Sequence, residues 1–308
     1  MANAKTFAKE KLSYKMSIIL IIVLVSLYSL QTLFCKFYSD NYSGKTELAS
    51  PVLCVCQSIA IALLSFAFAG FDFNVSLISF LFGTLNAAVL FGYNTSLIKA
   101  GERGSYAFMN MMMLFGGIFI PLVYVSIKDK AFPSIVECIA IVTMIVACVL
   151  MNLENIKLGG SKPSYYIFCL LLFIFNGLYG MLLKAQEQNN ADESQEMIIV
   201  TYGLMGVIAL VQLIAKEKGK ILSAFCFNKK CLLFLILFLI ISGLAVNVLV
   251  LLLGYLNAAV LYTVDNGGVM MLSALYSITL FKEKATPLKI IGIIIAIASL
   301  CVLGYSSI

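Results

Sequence analysis

Runs of apolar residues long enough to cross a bilayer follow one another along nearly the whole chain, and this pattern constrains the fold more than any motif does. A span needs roughly 20 predominantly apolar residues to cover about 30 Å of hydrocarbon. Ten such runs are read, at about 16–37, 48–70, 76–98, 104–127, 133–152, 164–184, 196–215, 231–254, 258–281 and 286–306. Backbone N–H and C=O groups in lipid find no water, so each run is expected to be a helix that pairs them internally. Composition agrees: 62% of the 308 residues are hydrophobic and only 12% charged, against about 25% charged in a soluble domain. Spans consume almost the entire length, which leaves no room for a separate soluble catalytic domain.

The first run carries Tyr28, Gln31 and Thr32 and lacks a small-residue cleavage site, so it is read as a retained helix and not a secretory signal. The sequence has no His, the commonest general acid/base and transition-metal ligand. Cysteines such as Cys35, Cys148, Cys169 and Cys301 lie inside apolar runs, and only Cys54 and Cys56 are close together. They read as small hydrophobes, with no disulfide framework or metal site expected. No cofactor is expected, and no phosphate-binding loop of the Gly-x4-Gly-Lys-Ser/Thr type occurs, so ATP does not drive the protein directly. The net charge of +6 comes from lysines in short segments between spans, where they act as topology signals and give no evidence for nucleic acid.

Most connections are tight turns, at 70–75, 128–132 and 282–285. Two longer polar connections are expected, from Lys184 to Glu196 and from Lys216 to Lys230. Glu154 to Pro163, with breakers Gly159, Gly160 and Pro163, reads as the midpoint linker. The expected organisation is a tail at 1–15, a five-helix unit at 16–153, the linker at 154–163 and a second five-helix unit at 164–308. Three matches link the halves. Lys128-Asp129-Lys130-Ala131-Phe132-Pro133 is echoed by Lys282-Glu283-Lys284-Ala285-Thr286-Pro287. Gly83 and Asn86 precede Gly92-Tyr93 as Gly243 and Asn247 precede Gly254-Tyr255, and Lys36 ends span one as Lys184 ends span six. An odd number of spans per copy makes the second enter the membrane with opposite orientation, the inverted-repeat design of many secondary transporters.

The two five-helix halves, the acidic turn Phe281-Lys282-Glu283-Lys284-Ala285-Thr286-Pro287 and the glycine-bearing last helix Ile290-Ile291-Gly292-Ile293-Ile294 resemble the EamA-type branch of the drug/metabolite transporter superfamily. The resemblance covers the chain from about residue 16 to its end; the first copy departs from the pattern in having Asp129 where the second has Glu283. It implies an all-α integral membrane fold of ten transmembrane helices, arranged as two inverted five-helix repeats around a central cavity, with both termini cytoplasmic. Basic residues point the other way: with the termini inside, seven of the 21 Lys and Arg lie on the inner side and fourteen on the outer, against the positive-inside bias.

An ionisable side chain at the bilayer centre costs roughly 2.5–3.5 kcal/mol on insertion scales and is a functional candidate by default. Asp265, about seven residues into span nine, is the acid that lies well inside a span. With Asn266, Gly267 and Gly268 it forms a poor helix centre, because glycine loosens the backbone and Asp and Asn compete for its hydrogen bonds. Gly116, Gly117 and Pro121 form a parallel weak point in span four, near Asn110 and the run Met111 to Met113. Both are expected as helix breaks lining a binding site, with close packing as the competing role of the glycines. Asn86 and Asn247 are candidates for orienting amide contacts or for interhelical glue. Tyr28 and Gln31 on span one, and Asn176 and Tyr179 on span six, are candidate cavity residues. Lys36 and Lys184 either snorkel to the headgroups or, turned inward, form anion contacts. Tyr93, Tyr106, Tyr255 and Tyr262 are interfacial aromatics or contacts. The stripe Ala88, Gly92, Ser96, Ala100 and the methionines read as packing.

These residues lead to a multi-pass protein of a plasma membrane, with bacterial composition, that moves a small organic metabolite such as an amino acid by alternating access. Export, coupled to protons, is the expected direction. Its partners would be the small-molecule substrate, protons and the lipid bilayer, with the protein a monomer or homodimer. Carriage of an anionic phosphorylated or nucleotide-linked sugar, or translocation of a lipid-linked intermediate, are the alternatives. An intramembrane enzyme is not expected, since no nucleophile is paired with a base at helical spacing.

Overall fold

The structure is a computed structural model that describes residues 14–101, 103, 106–128, 130, 132–152, 163–217, 221–280 and 286–306. Among these, the regular elements are helices: α1 (Tyr14–Asn41), α2 (Thr46–Phe68), α3 (Leu77–Gly101), α4 (Tyr106–Lys128), α5 (Ile135–Asn152), α6 (Pro163–Asn190), α7 (Ser194–Glu217), α8 (Lys229–Leu253), α9 (Ala258–Thr279) and α10 (Pro287–Ser306). Short 3-10 turns at Ala191–Glu193 and Ile221–Ala224 join α6 to α7 and precede α8.

Six stretches are long and apolar enough to cross a membrane: Met16–Asn41, Thr46–Phe68, Leu77–Gly101, Met109–Lys128, the Pro163–Glu217 run that holds α6 and α7, and Lys229–Leu253. Ile135–Met151 and Pro287–Ser299 are shorter apolar helices. On α5, Ile139, Val142 and Val146, and on α10, Ile290, Ile294 and Ile297, recur every three or four residues on one helix face and are 45% to 61% exposed. A water-soluble monomer rarely exposes a continuous apolar patch beyond a few hundred Å². The chain is a membrane-embedded helical protein.

Helix starts are capped by local chemistry. Ser134 N–H donates to Glu137 Oε2 at 2.7 Å and Glu137 N–H to Ser134 Oγ at 3.2 Å, a capping box for α5. Thr286 Oγ1 accepts from Lys289 N–H at α10, and Asn228 Oδ1 from Cys231 N–H at α8. The helices then pack in a reciprocal pattern. α2 lies on α7, α4 on α9 and α5 on α10; α1 packs on α8 and α9, and α6 on α3 and α4. Exchanging α1–α5 with α6–α10 preserves each of these neighbours. α6 begins at the end of the bundle where α1 finishes. Lys99, in the last turn of α3, and Arg103, just after it, lie over the ring of Phe168 near the start of α6. Asn228 Nδ2, at the cap of α8, donates to Asn41 O at the end of α1, and Tyr42 Oη, just after α1, donates to Ala224 O in the turn before α8.

Several expectations are corrected. The breaks at Gly116, Gly117 and Pro121 and at Gly267 and Gly268 do not occur: α4 and α9 run through them as continuous α-helix. Close packing explains the glycines. A Cβ on Gly116 would run into the carbonyl of Phe173, one on Gly267 would meet Met144 Sδ at 2.7 Å, and one on Gly268 would meet Val25 Cγ1 at 2.7 Å. Asn266 Nδ2 donates to Tyr262 O one turn earlier, which supports the helix instead of breaking it. The polar stretch from Lys184 is not a loop, because α6 continues to Asn190 beyond its apolar part. Lys184 pairs with Glu187, and Asn189 Nδ2 donates to Ala185 O at 2.6 Å.

The glycine–asparagine match between spans three and eight also fails, since Gly92 lies mid-α3 while Gly254 lies past the end of α8. Pro133 precedes the cap of α5 whereas Pro287 is the first residue of α10, so the matching prolines occupy different places. Pro163 likewise opens α6; the rest of the linker expected at 154–163, and Lys282 to Ala285, lie outside the described residues.

The α4–α6 crossing is the tightest backbone approach among these glycines, with a Cβ on Gly177 meeting Gly116 O at 2.5 Å. Gly116→Ala is expected to destabilise by about 1–3 kcal/mol, the usual range for overpacking, read as a lowered thermal midpoint in detergent. Gly203→Ala, where nothing lies within 4 Å of the new methyl, is the control and should hold or raise the midpoint. Equal midpoints for the two variants would remove the crossing's structural role.

Candidate functional site

A cavity of about 110 Å³ lies at the centre of the bundle. Each of α1–α4 and α6–α9 contributes to its wall, while α5 and α10 pack on each other outside it. It adjoins a second chamber of about 440 Å³ that shares Gln31, Thr32, Tyr93, Asn94 and Met113 with it. The outer chamber reaches Lys36, Ser39, Asp40 and Thr46, so it leads to the end where α1 finishes and α2 begins.

The opposite end is closed by polar contacts. Tyr262 Oη donates to Gly180 O at 2.7 Å, and Tyr124 Oη to Gln188 Oε1 at 3.2 Å. Gln186 Nε2 donates to Ser79 Oγ at 2.8 Å, and Ser76 N–H to Glu193 Oε2 at 2.8 Å.

Asp265, Asn266, Tyr28, Gln31, Asn176, Tyr179 and Gly117, all singled out in the sequence, line the inner cavity. Asp265 is 7% exposed, and its Oδ1 has no hydrogen-bond partner. Asn176 Nδ2 donates to Met113 O at 2.9 Å and to Asn266 Oδ1 at 3.4 Å, so the amides of α6 and α9 meet in front of Gly117 on α4. Any larger residue at 117 would collide there, since a Cβ would lie 2.5 Å from Asn176 Nδ2.

Five candidates lie elsewhere. Asn110 and Lys36 line the outer chamber. Asn86 is buried with neither amide atom partnered, and Asn247 donates to Gly243 O at 2.8 Å; neither lines the inner cavity or the adjoining chamber. Lys184 is drawn to Glu187 at the closed end, which corrects its reading as an anion contact. Gln57, Asn94, Tyr202 and Ser242, all on the wall, were not anticipated, and Tyr93 and Tyr262 belong to it as well. Asn94 Nδ2 donates to Gln57 Oε1 at 3.4 Å, which ties α3 to α2 at the cavity edge.

The wall positions recur at constant spacing within each helix pair. On α1 and α6, Tyr28 corresponds to Asn176, Gln31 to Tyr179 and Thr32 to Gly180. On α3 and α8, Leu90 corresponds to Ser242 and Asn94 to Val246; on α4 and α9, Met113 to Asp265, Leu114 to Asn266 and Gly117 to Val269. The same α4–α9 spacing carries the cap Ser134 onto Thr286. Counted from the starts of α3 and α8, Asn86 and Asn247 do not correspond to each other.

Glu193 sits in the turn between α6 and α7, outside the spans. Desolvation pushes its carboxyl up, but the Ser79 hydroxyl, the N–H and hydroxyl of Ser76, and Asn190 outweigh that and hold it at about 2, against an ordinary 4.5. A lowered value stabilises the folded state above about pH 4.5, a contribution lost as pH falls through about 2. Glu193→Gln should therefore flatten the acid limb of a thermal-stability profile between those values. Superimposable acid limbs for the variant and the parent would show that this contact contributes nothing.

No protein-family model and no curated protein matches the sequence. A solved chain described only as "Crystal structure of protein" is similar in fold, with TM-score 0.70 at 10% identity, over 96% of this chain and 99% of that one.

Proposed function

We propose that the protein is a secondary active carrier of ten membrane spans, built as two inverted five-helix repeats of the EamA type, which moves a small organic metabolite by alternating access. The observation that carries this reading is the duplicated wall: corresponding positions on α1 and α6, α3 and α8, and α4 and α9 converge on one polar cavity. Carriers of this design place their substrate at the interface of the two repeats, near the midplane. The cavity continues into the chamber at one end and is sealed at the other, as a carrier resting in a one-side-open state requires. An enzyme would need a reacting group set beside a base, whereas this wall brings together one carboxylate, amides and tyrosines.

Export is the proposed direction, coupled to protons at Asp265. Its carboxyl is the acid on the cavity wall, and alternating access would expose it to each side in turn. The anionic alternative loses support because Lys184 is engaged by Glu187 away from the cavity. Both termini are proposed to be cytoplasmic in a bacterial inner membrane, which turns the open chamber outward.

Purified protein in liposomes is expected to accumulate or release a small metabolite when a pH gradient is imposed, and Asp265→Asn to lose the dependence on that gradient. Unchanged pH dependence in the variant would remove the proton role, and no movement of any small metabolite would remove the carrier reading. For orientation, a cysteine placed at Lys128 should react with an impermeant thiol reagent only from the cytoplasmic side. Labelling from outside would reverse the topology, in keeping with the fourteen basic residues at the other end.

A further inference from the structure

We propose that the inner cavity binds a small organic cation, an ammonium bearing one positive charge, with Asp265 as its counter-ion. The proposal rests on reading this cavity as the solute site and names the solute's class. Three observations carry it.

The first is the sign of the wall. Its lining residues include one ionisable acid, Asp265, and no Lys or Arg; Lys36 lies out in the adjoining chamber. A buried carboxylate with no cation beside it is costly unless a charge or a hydrogen-bond donor reaches it. The position on α4 that corresponds to Asp265 is Met113, so the duplication supplies one carboxylate and not a pair. One positive charge is what such a wall can balance.

The second is the balance of donors and acceptors. Both hydrogens of the Asn176 amide are donated within the protein, to Met113 O and Asn266 Oδ1. Those of Asn94 go to Gln57 Oε1 and Met205 Sδ. Thr32 and Tyr262 donate to Ser29 O and Gly180 O. On the wall of this cavity, the buried atoms left without partners are Asp265 Oδ1, Gln31 Oε1, Tyr28 Oη and Ser242 Oγ. Tyr28 Oη neighbours Tyr179, but no bond of normal length and angle joins them. The first two atoms only accept, and hydroxyls can accept. An ammonium only donates, so it suits all four; the two hydroxyls can also donate to an anion, but a carboxylate or phosphate would meet Asp265 Oδ1 and Gln31 Oε1 acceptor to acceptor.

The third is size and surface. About 110 Å³ is well under the roughly 300–1,000 Å³ of a drug-sized pocket. Tyr28, Tyr179, Tyr202 and Tyr262 share the wall with Asp265, and tyrosine rings attract the carbons and charge of an organic ammonium.

The test is ligand binding to the purified, unaltered protein in detergent at neutral pH, read by thermal shift and calorimetry. The compounds are methylamine and isopentylamine, the zwitterion leucine, 4-methylpentanoate and glucose 6-phosphate. At least one amine is expected to bind, leucine more weakly than isopentylamine, and the two anions not at all. Asp265→Asn should weaken the amine at least about tenfold, the loss expected for a hydrogen bond to a charged group, while Asp265→Glu keeps the order of ligands. Tighter binding of either anion than of the amines would overturn the proposal, as would no binding by either amine, or an Asp265→Asn protein, folded by gel filtration, with unchanged amine affinity. Should that variant fail to fold, the ligand order on the unaltered protein decides. Amine binding without transport in liposomes would sink the carrier reading and leave the ammonium site standing. Transport of an anion without amine binding would do the reverse.

Discussion

The approach of α4 to α6 at Gly116 and Gly177 sets the geometry from which the cavity follows. Two backbones can come this close only where neither carries a Cβ, and small residues are the usual means of bringing helices together in lipid, where apolar side chains gain little from leaving their surroundings. With the helices at this distance, Asn176 reaches Met113 O and Asn266 at the next turn, beside Gly117. One steric allowance thus joins α4, α6 and α9, and the polar wall is assembled on the joint. Bulk at Gly116 would part the helices and dissolve the site without touching any polar residue.

Helices of membrane length were legible because apolar runs of about 20 residues have few other uses. Where the runs ended was less legible. Hydropathy reports the edge of the hydrocarbon, while α6 continues to Asn190 on an ion pair and side-chain bonds that no hydropathy window registers. The glycine runs were misread for a different reason. Propensity marks Asp265 to Gly268 as a weak helix, yet Met144 and Val25 fill the spaces the glycines leave, and tertiary packing overrides local preference.

Of the site, the residues on α1, α6 and α9 could be found because a polar side chain in mid-span is conspicuous. On α3 and α8 each helix offered more than one such residue, and the choice depended on rotational phase. Asn86 and Asn247 face neighbouring helices, whereas Asn94 and Ser242 face the cavity. Phase is set by which helices pack together, and a single sequence does not state that. Literal repeats of residues were a weaker guide to corresponding wall positions than helix spacing. The proline motif looked closest and yet its prolines occupy different places, while the spacing shared by the wall positions pairs unlike residues such as Leu90 with Ser242.

That unlikeness has a consequence. Two identical halves in opposite orientation would give an empty carrier two resting forms of equal free energy, one the image of the other. Here a carboxylate on α9 takes the place of a thioether on α4, and an amide on α3 that of a valine on α8. On the carrier reading the two forms are therefore no longer degenerate. On that reading the empty carrier would favour one side before any gradient or ligand acts on it, a preference set by a handful of unequal side chains.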